Sequence, residues 1–232
     1  MDVLFHPMET AVTDGDTALF IQLLSHPEYR SQLSSTMLGH DCLNSAIMLG
    51  REKIVEALIN LPLSIFDWTR VPLADQGALT YLSRAANFGQ DDIVRYIIHT
   101  GKVSVTERDQ KGRTALHYAC KSKCDECADI LLLHEVDPNE PDFQGRTPLF
   151  FAAIEGSYDV IDRLLVIHNI DPDAQDHGGR TPFYWAIFYG HNCCALNLRD
   201  SGRVDTSIIS RAYEDREAVL KAGLPLAFAK NS

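Results

Sequence analysis

The sequence lacks any apolar stretch of membrane-spanning length. Its first residues, Met1-Asp-Val-Leu-Phe-His-Pro-Met-Glu9, hold neither a basic region nor the apolar run of a secretion signal. It also lacks the strings that announce common chemistry: a glycine-rich phosphate loop, a Ser-His-Asp order, a zinc-hydrolase string, a kinase signature. Positive charge is in short supply. Lys and Arg number 21 against 32 Asp and Glu, a net charge of −11. Phosphate backbones and anionic lipid surfaces are therefore poor partners, and another protein with a basic or neutral surface suits the chain better. A disulfide framework is missing too: the six cysteines fall mostly within expected helices, the usage of reduced, partly buried thiols. These absences predict a cytoplasmic or nuclear protein with no nucleic-acid or membrane partner and no cofactor.

What the chain does have is repetition. In Asp142-Phe-Gln-Gly-Arg-Thr-Pro-Leu-Phe-Phe-Ala-Ala-Ile-Glu-Gly156 the first four residues have turn composition. Thr147 is placed to cap a helix through its hydroxyl, Pro148 sits where its missing N–H costs nothing, and Gly156 stops the helix. Leu149, Ala152 and Ala153 form one apolar face, and Val160, Ile161, Leu164 and Leu165 give a second short helix. Neither helix is long enough to be stable alone. Asp109 to Cys120 and Asp176 to Ile187 repeat the pattern, with Thr114 and Thr147 separated by 33 residues and Thr147 and Thr181 by 34. Turn, Thr-Pro start, small apolar face and paired aliphatics in this register resemble the ankyrin repeat. The resemblance implies an all-α solenoid of paired antiparallel helices with hairpin fingers. Its concave surface, formed by fingers and inner helices, would bind another protein without catalysis.

The register organises residues 1–232 as one array of about six repeats. A capping repeat spans 8–38, repeat two with a long insertion 39–76, repeat three 77–108, repeat four 109–141, repeat five 142–175, repeat six 176–206 and a C-terminal cap 207–226. Helices are expected near 44–50, 52–60, 81–88, 91–99, 115–122, 125–133, 148–155, 158–167 and 182–189. The polar segment His26 to Ser35 reads as a loop, and Val103 to Thr106 as one hairpin arm. The tail after Pro225 reads as frayed. In the insertion Leu61 to Gly77, Phe66 and Trp68 either cover neighbouring helix ends or form a secondary binding loop.

Several constellations invite chemistry. Cys120, Cys124 and Cys127 imitate an iron–sulfur spacing, but the register puts Cys120 and Cys127 at core positions, so no metal is expected. His117 belongs to the Thr-x-Leu-His start, where the resemblance implies a backbone tie between repeats. The turn pairs Asp137-Pro-Asn139 and Asp171-Pro-Asp173 are sufficiently explained as turns. The odd feature is aromatic density. Phe150, Phe151, Phe183, Tyr184, Trp185, Phe188 and Tyr189 lie on two successive inner helices. By register Lys121, Glu155, Phe188 and Tyr189 face the groove, beside the finger residues Phe143, Gln144, Arg146, His177 and Arg180. These nine are the candidate protein-binding residues. Arg113, Arg146 and Arg180 form a ladder that either meets a partner's carboxylates or pairs with the fingers' own Asp residues. The alternative function is a small apolar ligand, or an enzymatic site, in the aromatic groove of repeats four to six, with Glu155, Asp176, His177 and His191 as nearby acids and bases.

Overall fold

The computed structural model describes residues 6–35, 37–68, 79–134 and 136–221. Among these, all regular structure is helical. The helices are α1 (Pro7–Asp14), α2 (Thr17–Ser25), α3 (Pro27–Ser35), α4 (Leu38–Met48), α5 (Glu52–Ile59), α6 (Tyr81–Asn87), α7 (Asp91–His99), α8 (Ala115–Ser122), α9 (Asp125–Leu132), α10 (Pro148–Glu155), α11 (Tyr158–Val166), α12 (Pro182–Tyr189), α13 (Asn192–Asp200) and, after a 3-10 turn (Thr206–Ile208), α14 (Ile209–Lys221).

Two rows result. Helices α1, α4, α6, α8, α10, α12 and α14 touch one another in that order; α2, α5, α7, α9, α11 and α13 form the parallel row. The inner row packs closely because its buried faces are small: Ala46, Ala85, Ala119, Ala152, Ala153 and Ala186 are all fully covered. The outer row fills the seam with aliphatic quartets such as Ile93, Val94, Ile97 and Ile98. Ala153 has no exposed surface. Ala153→Leu is therefore expected to overpack the stack and cost about 1–3 kcal/mol, read as a shifted urea midpoint with an unchanged slope. An unchanged midpoint would show that the site has spare volume.

The inner row is sealed by one recurrent device. Carbonyls at the C-terminal end of an inner helix have no partner within the helix, and for α1, α6, α8, α10 and α12 a side chain from a following repeat supplies one. Arg51 Nη2 donates to the Thr13 carbonyl of α1 (3.0 Å), Ser122 Oγ to that of Ala86 in α6 (2.6 Å) and Ser157 Oγ to that of Cys120 in α8 (3.3 Å). His191 Nε2 donates to the Ile154 carbonyl of α10 (3.0 Å), and Arg216 Nη1 to that of Ile187 in α12 (3.2 Å).

The structure corrects several expectations. His26 to Ser35 is not a loop: Pro27 starts α3, Arg30 Nε donates to the Leu24 carbonyl (2.6 Å), and Leu33 is buried. A single apolar anchor in a polar stretch leaves no periodicity to read. Helix α4 begins at Leu38, six residues before the expected start at 44, because Leu38, Gly39, Cys42 and Leu43 already form a buried face. Val103 to Thr106 makes no strand; the chain turns there, with the Glu107 N–H donating to the Ser104 carbonyl (3.3 Å). The Thr147 hydroxyl makes no hydrogen bond, because the Phe150 N–H it would cap donates to the Thr147 carbonyl instead (3.0 Å). Repeat four lacks a stop glycine: Lys123 holds the left-handed conformation at φ +63°, a placement that costs an L-residue about 1 kcal/mol. The cap is also more than a solvated end. Helix α14 stacks as a further member of the inner row, its Ala212 fully buried. Residues 222–226 of the expected cap, the tail after Pro225 and residues 69–77 of the insertion lie outside the described residues.

The cysteines divide differently from expectation. Cys124 and Cys127 form a disulfide across the first turn of α9, with their Cα atoms 5.3 Å apart. Cys124 is the helix N-cap and Cys127 the third helical residue, a spacing that brings both sulfurs together. Cys42, Cys120, Cys193 and Cys194 are unpaired, and only Cys193 is exposed. Burial pushes the Cys42 thiol up to about 12 and raises that of Cys120 as well, so neither is a nucleophile. Among the described residues no group of three His, Cys, Asp or Glu side chains could hold a metal ion.

Candidate functional surface

Three fingers, one repeat apart, share one construction. In each, the leading Asp N–H donates to the carbonyl of the Arg four residues on: Asp109 to Arg113 (2.9 Å), Asp142 to Arg146 (2.8 Å) and Asp176 to Arg180 (2.9 Å). The carboxylate Oδ1 accepts two backbone N–H bonds inside its own turn: Lys111 and Arg113 on Asp109, Gln144 and Arg146 on Asp142, Gly178 and Arg180 on Asp176. Successive fingers are stitched by backbone: Phe143 N–H to the Lys111 carbonyl (2.9 Å) and His177 N–H to the Gln144 carbonyl (3.0 Å). The Phe143 and His177 rings lie against Gly112 and Gly145, where an added Cβ would approach to 2.6 and 2.9 Å. The fingers are therefore a rigid ledge.

The second carboxylate oxygen shows why the middle finger differs. Tyr118 donates its hydroxyl to Asp109 Oδ2 (2.5 Å), and Trp185 donates its indole N–H to Asp176 Oδ2 (3.2 Å). The equivalent residue of repeat five is Phe151, which has no donor. Arg113 Nε (3.3 Å) takes that place, beside the finger's own Arg146, whose Nε and Nη2 (both 3.2 Å) reach Asp142 Oδ2 as Arg180 Nε reaches Asp176 Oδ2 (2.9 Å). Arg113 and Arg146 also sit over the Phe151 ring, at 4.8 and 5.1 Å from its centroid. Burial alone would raise the Asp142 carboxyl, but the Arg146 backbone N–H and charge, then Gln144 and Arg113, hold it below the usual carboxylate range. Burial and the Arg113 charge work against the Arg146 cation while Asp142 works for it. A guanidinium stays charged in either case.

His117 joins repeats four and five. The Thr114 N–H donates to its Nδ1 (3.1 Å), which leaves Nε2–H to donate to the Arg146 carbonyl (3.1 Å). The ring is fully buried and neutral, its pKa lowered by burial to about 4.

The nine expected binding residues divide. Phe143 is 64% exposed, Lys121 and His177 are exposed, and Gln144, Glu155, Arg180 and Tyr189 are half-buried. Two do not face solvent. Arg146 is only 4% exposed and pairs with Asp142, and Phe188 is only 3% exposed, on a helix against which α14 packs. Phe188 instead packs on Tyr184, Trp185 and Tyr189 with ring centroids 5.2–6.0 Å apart. Of the two readings of the insertion, the structure takes the covering one: Phe66 and Trp68 are buried, and the Phe66 ring seats on Gly39. Sequence reasoning missed three residues of the same register. Met48, Leu49 and Phe88, just before Gly50 and Gly89, are each about 40–46% exposed, at the steps that Lys121, Glu155 and Tyr189 occupy in later repeats.

The acids and bases near the aromatic end do not converge. Asp176 is held by its own finger and Trp185, His191 caps α10, and His177 lies on Gly145. The cleft at that end, about 200 Å3 and lined by Phe183, Ile187, Leu196, Ile209 and Tyr213 among others, contains no carboxylate or histidine.

Comparison with known proteins agrees with this geometry. The family described as ankyrin repeats (3 copies) matches residues 68–142 and 133–207, more than half of the chain. Human BCL-6 corepressor-like protein 1 is 34% identical over 82 residues, which are 35% of this chain and 5% of that protein. Human ARF GTPase-activating protein GIT1 is 38% identical over 55 residues, 24% of this chain and 7% of that one. A putative ankyrin repeat protein of Rickettsia bellii is 25% identical over 141 residues, 58% of this chain and 78% of the other. The chain thus matches only a small fraction of its first two relatives' length, and what it shares with the family is the repeat itself. Helix pairing, finger construction and family match lead to one statement: the chain belongs to the ankyrin-repeat family.

Proposed function

We propose that this chain is a non-catalytic protein-binding module whose partner lies along the fingers and inner-helix ends. Ankyrin repeats generally mediate protein–protein interactions and are typically non-enzymatic. The observation that carries the finer reading is that uncovered large apolar side chains recur from repeat to repeat on this side of the array. Met48, Leu49, Phe88 and Phe143 stand exposed at the register positions of the groove. A preorganised surface of this kind loses little conformational freedom on binding. The net charge of −11 favours a partner whose overall surface is basic or neutral. A cytoplasmic or nuclear setting belongs to the same proposal: the unpaired Cys42, Cys120, Cys193 and Cys194 favour it, and the Cys124–Cys127 disulfide counts against it.

Affinity capture with the full chain, followed by mass spectrometry and reconstitution with the purified partner, tests it. Phe88→Ala with Phe143→Ala is expected to weaken that complex by roughly 2–4 kcal/mol and leave the melting transition in place. Val166→Ser, at an 82% exposed position on α11 of the outer row, should change neither. Equal affinity of wild type and the double variant would move the binding surface elsewhere.

A further inference from the structure

Repeat four breaks a rule that other repeats keep. Arg51, Ser157 and His191, which seal the carbonyl end of an earlier inner helix, are the N-caps of α5, α11 and α13. In α9 the N-cap is Cys124, and the seal on α6 comes from Ser122 instead. Cys124 is thus released from the structural duty of its position. Its partner holds a core position: Cys127 stands where α5, α7 and α11 have Ile54, Ile93 and Val160. A cysteine there is not by itself a redox group, because Cys194 occupies the same place in α13, behind the cap His191, and stays unpaired. In α9 a second cysteine stands at the cap, and the two are joined. Only two residues separate them, so the bond constrains the unfolded chain little and is a poor staple for the array. The two ends are unequal: Cys127 has no exposed surface, whereas Cys124 is only partly covered. Charges beside Cys124 are mixed, with Lys121 and Lys123 before it and Asp125 and Glu126 after it, so an anionic thiol is neither drawn in nor shut out. The Cys127 N–H donates to Cys124 Sγ (3.2 Å), a bond that a free thiol can also accept, so the helix start survives opening of the disulfide.

We propose that Cys124 and Cys127 form a reversible thiol–disulfide site, attacked at Cys124, that exchanges with glutathione-class thiols while the array stays folded. In opening, a glutathione thiolate attacks Cys124 Sγ, the bond to Cys127 breaks, and the Cys127 sulfur leaves with the bonding pair and takes a proton from water. A second glutathione thiolate attacks the glutathione sulfur of the mixed disulfide and releases the Cys124 thiolate, which is protonated in turn. The pair has then gained two electrons and two protons, and two glutathiones have become one glutathione disulfide. Closing is the reverse, with glutathione disulfide as the oxidant. Burial suits Cys127 to the resolving role: its thiol stays neutral, out of reach of free thiols, and meets the sulfur three residues before it. Such a site reconciles four unpaired cysteines with one disulfide in the same chain. A pair in exchange with a glutathione pool stands open where that pool is reducing and closes when it is oxidised.

Opening kinetics on the intact chain test this. The chain is closed with glutathione disulfide, then incubated in excess reduced glutathione at several urea concentrations below the unfolding midpoint. Samples are quenched with acid and alkylated, and each cysteine is read by peptide mass spectrometry. The bond is expected to open at a rate independent of urea, as a site reached in the folded state does, and to close again when glutathione disulfide is returned. Cys127→Ser should trap glutathione on Cys124, and its Cys124 should be alkylated in the native protein roughly tenfold faster than the buried Cys120. In Cys124→Ser, Cys127 should react as slowly as Cys120. A pair that glutathione disulfide cannot close, a bond that opens only in step with the unfolded fraction, or a Cys124 as inert as Cys120 in Cys127→Ser would each overturn the inference. Should either variant lack a cooperative melt, the urea series on the wild-type chain decides alone.

Discussion

Replacing Asp142 by alanine is expected to destabilise the chain by about 3–5 kcal/mol, the range for breaking a buried ion pair by removing one partner. The carboxylate is 5% exposed and stands between two guanidiniums, one of them equally buried. Without it Arg113 and Arg146 lose the carboxylate they share beside the Phe151 ring. Two turn N–H groups lose their acceptor at the same time. The equivalent Asp109→Ala serves as the control. That carboxylate is met by a neutral phenol rather than two cations, so its loss should cost only about 1–3 kcal/mol. Urea melts of the two variants side by side make the comparison; equal costs would refute the account of the middle finger as an ion cluster.

Acid should weaken the fold before the carboxylates titrate. His117 is buried neutral, its pKa lowered from 6.5 to about 4. Below the unfolded value, the unfolded chain binds a proton that the native chain refuses. Stability contributed by His117 is thus fully present above pH 6.5, falls as pH drops towards 4, and is level below. Over that window the loss amounts to about 2–3 kcal/mol. Asp142, whose pKa is lowered, adds a further loss at pH values under the ordinary carboxylate range. Melts from pH 7 to 4 would show the first decline, and His117→Gln, which cannot titrate, should make it shallower, with the remainder carried by His40, whose pKa burial also lowers. If wild type and variant decline in parallel between pH 6.5 and 4.5, some other group carries the effect.

The repeat register was legible because it rests on local rules. A Pro at the helix start, small residues on one face and a left-handed stop each act within a few residues of sequence. Helices α5 to α12 accordingly fall where the spacing put them. What was not legible depends on packing between distant segments. Phe188 holds a groove position by register yet is buried, on the helix against which α14 packs, and nothing in the periodicity of residues 209–221 says that this helix stacks inside the row rather than capping its end. Arg146 looks like Arg113 and Arg180 in sequence. Arg180 makes the same pair with its own finger's Asp176; what sets the middle finger apart is the second guanidinium, Arg113, on Asp142 Oδ2, where Phe151 has no donor to offer. That difference was readable in principle, since it needs only the donor inventory of three side chains. Helix α3 was hidden for the opposite reason, a polar sequence held by Leu33 and one arginine bond.

The carbonyl seals described for the inner row give the array a direction. Each seal is made by a residue that follows the helix it closes: Arg51 for α1, Ser122 for α6, Ser157 for α8, His191 for α10 and Arg216 for α12. Removing repeats from the front leaves every remaining seal in place, whereas removing the cap or repeat six, five or four from the back opens one each time. The solenoid therefore unzips more readily from its C-terminal end than from its N-terminal end. On the ribosome, where the front emerges first, α1, α6, α8, α10 and α12 each stay open at one end until a later repeat arrives to close them, and α14 brings the last of these five seals.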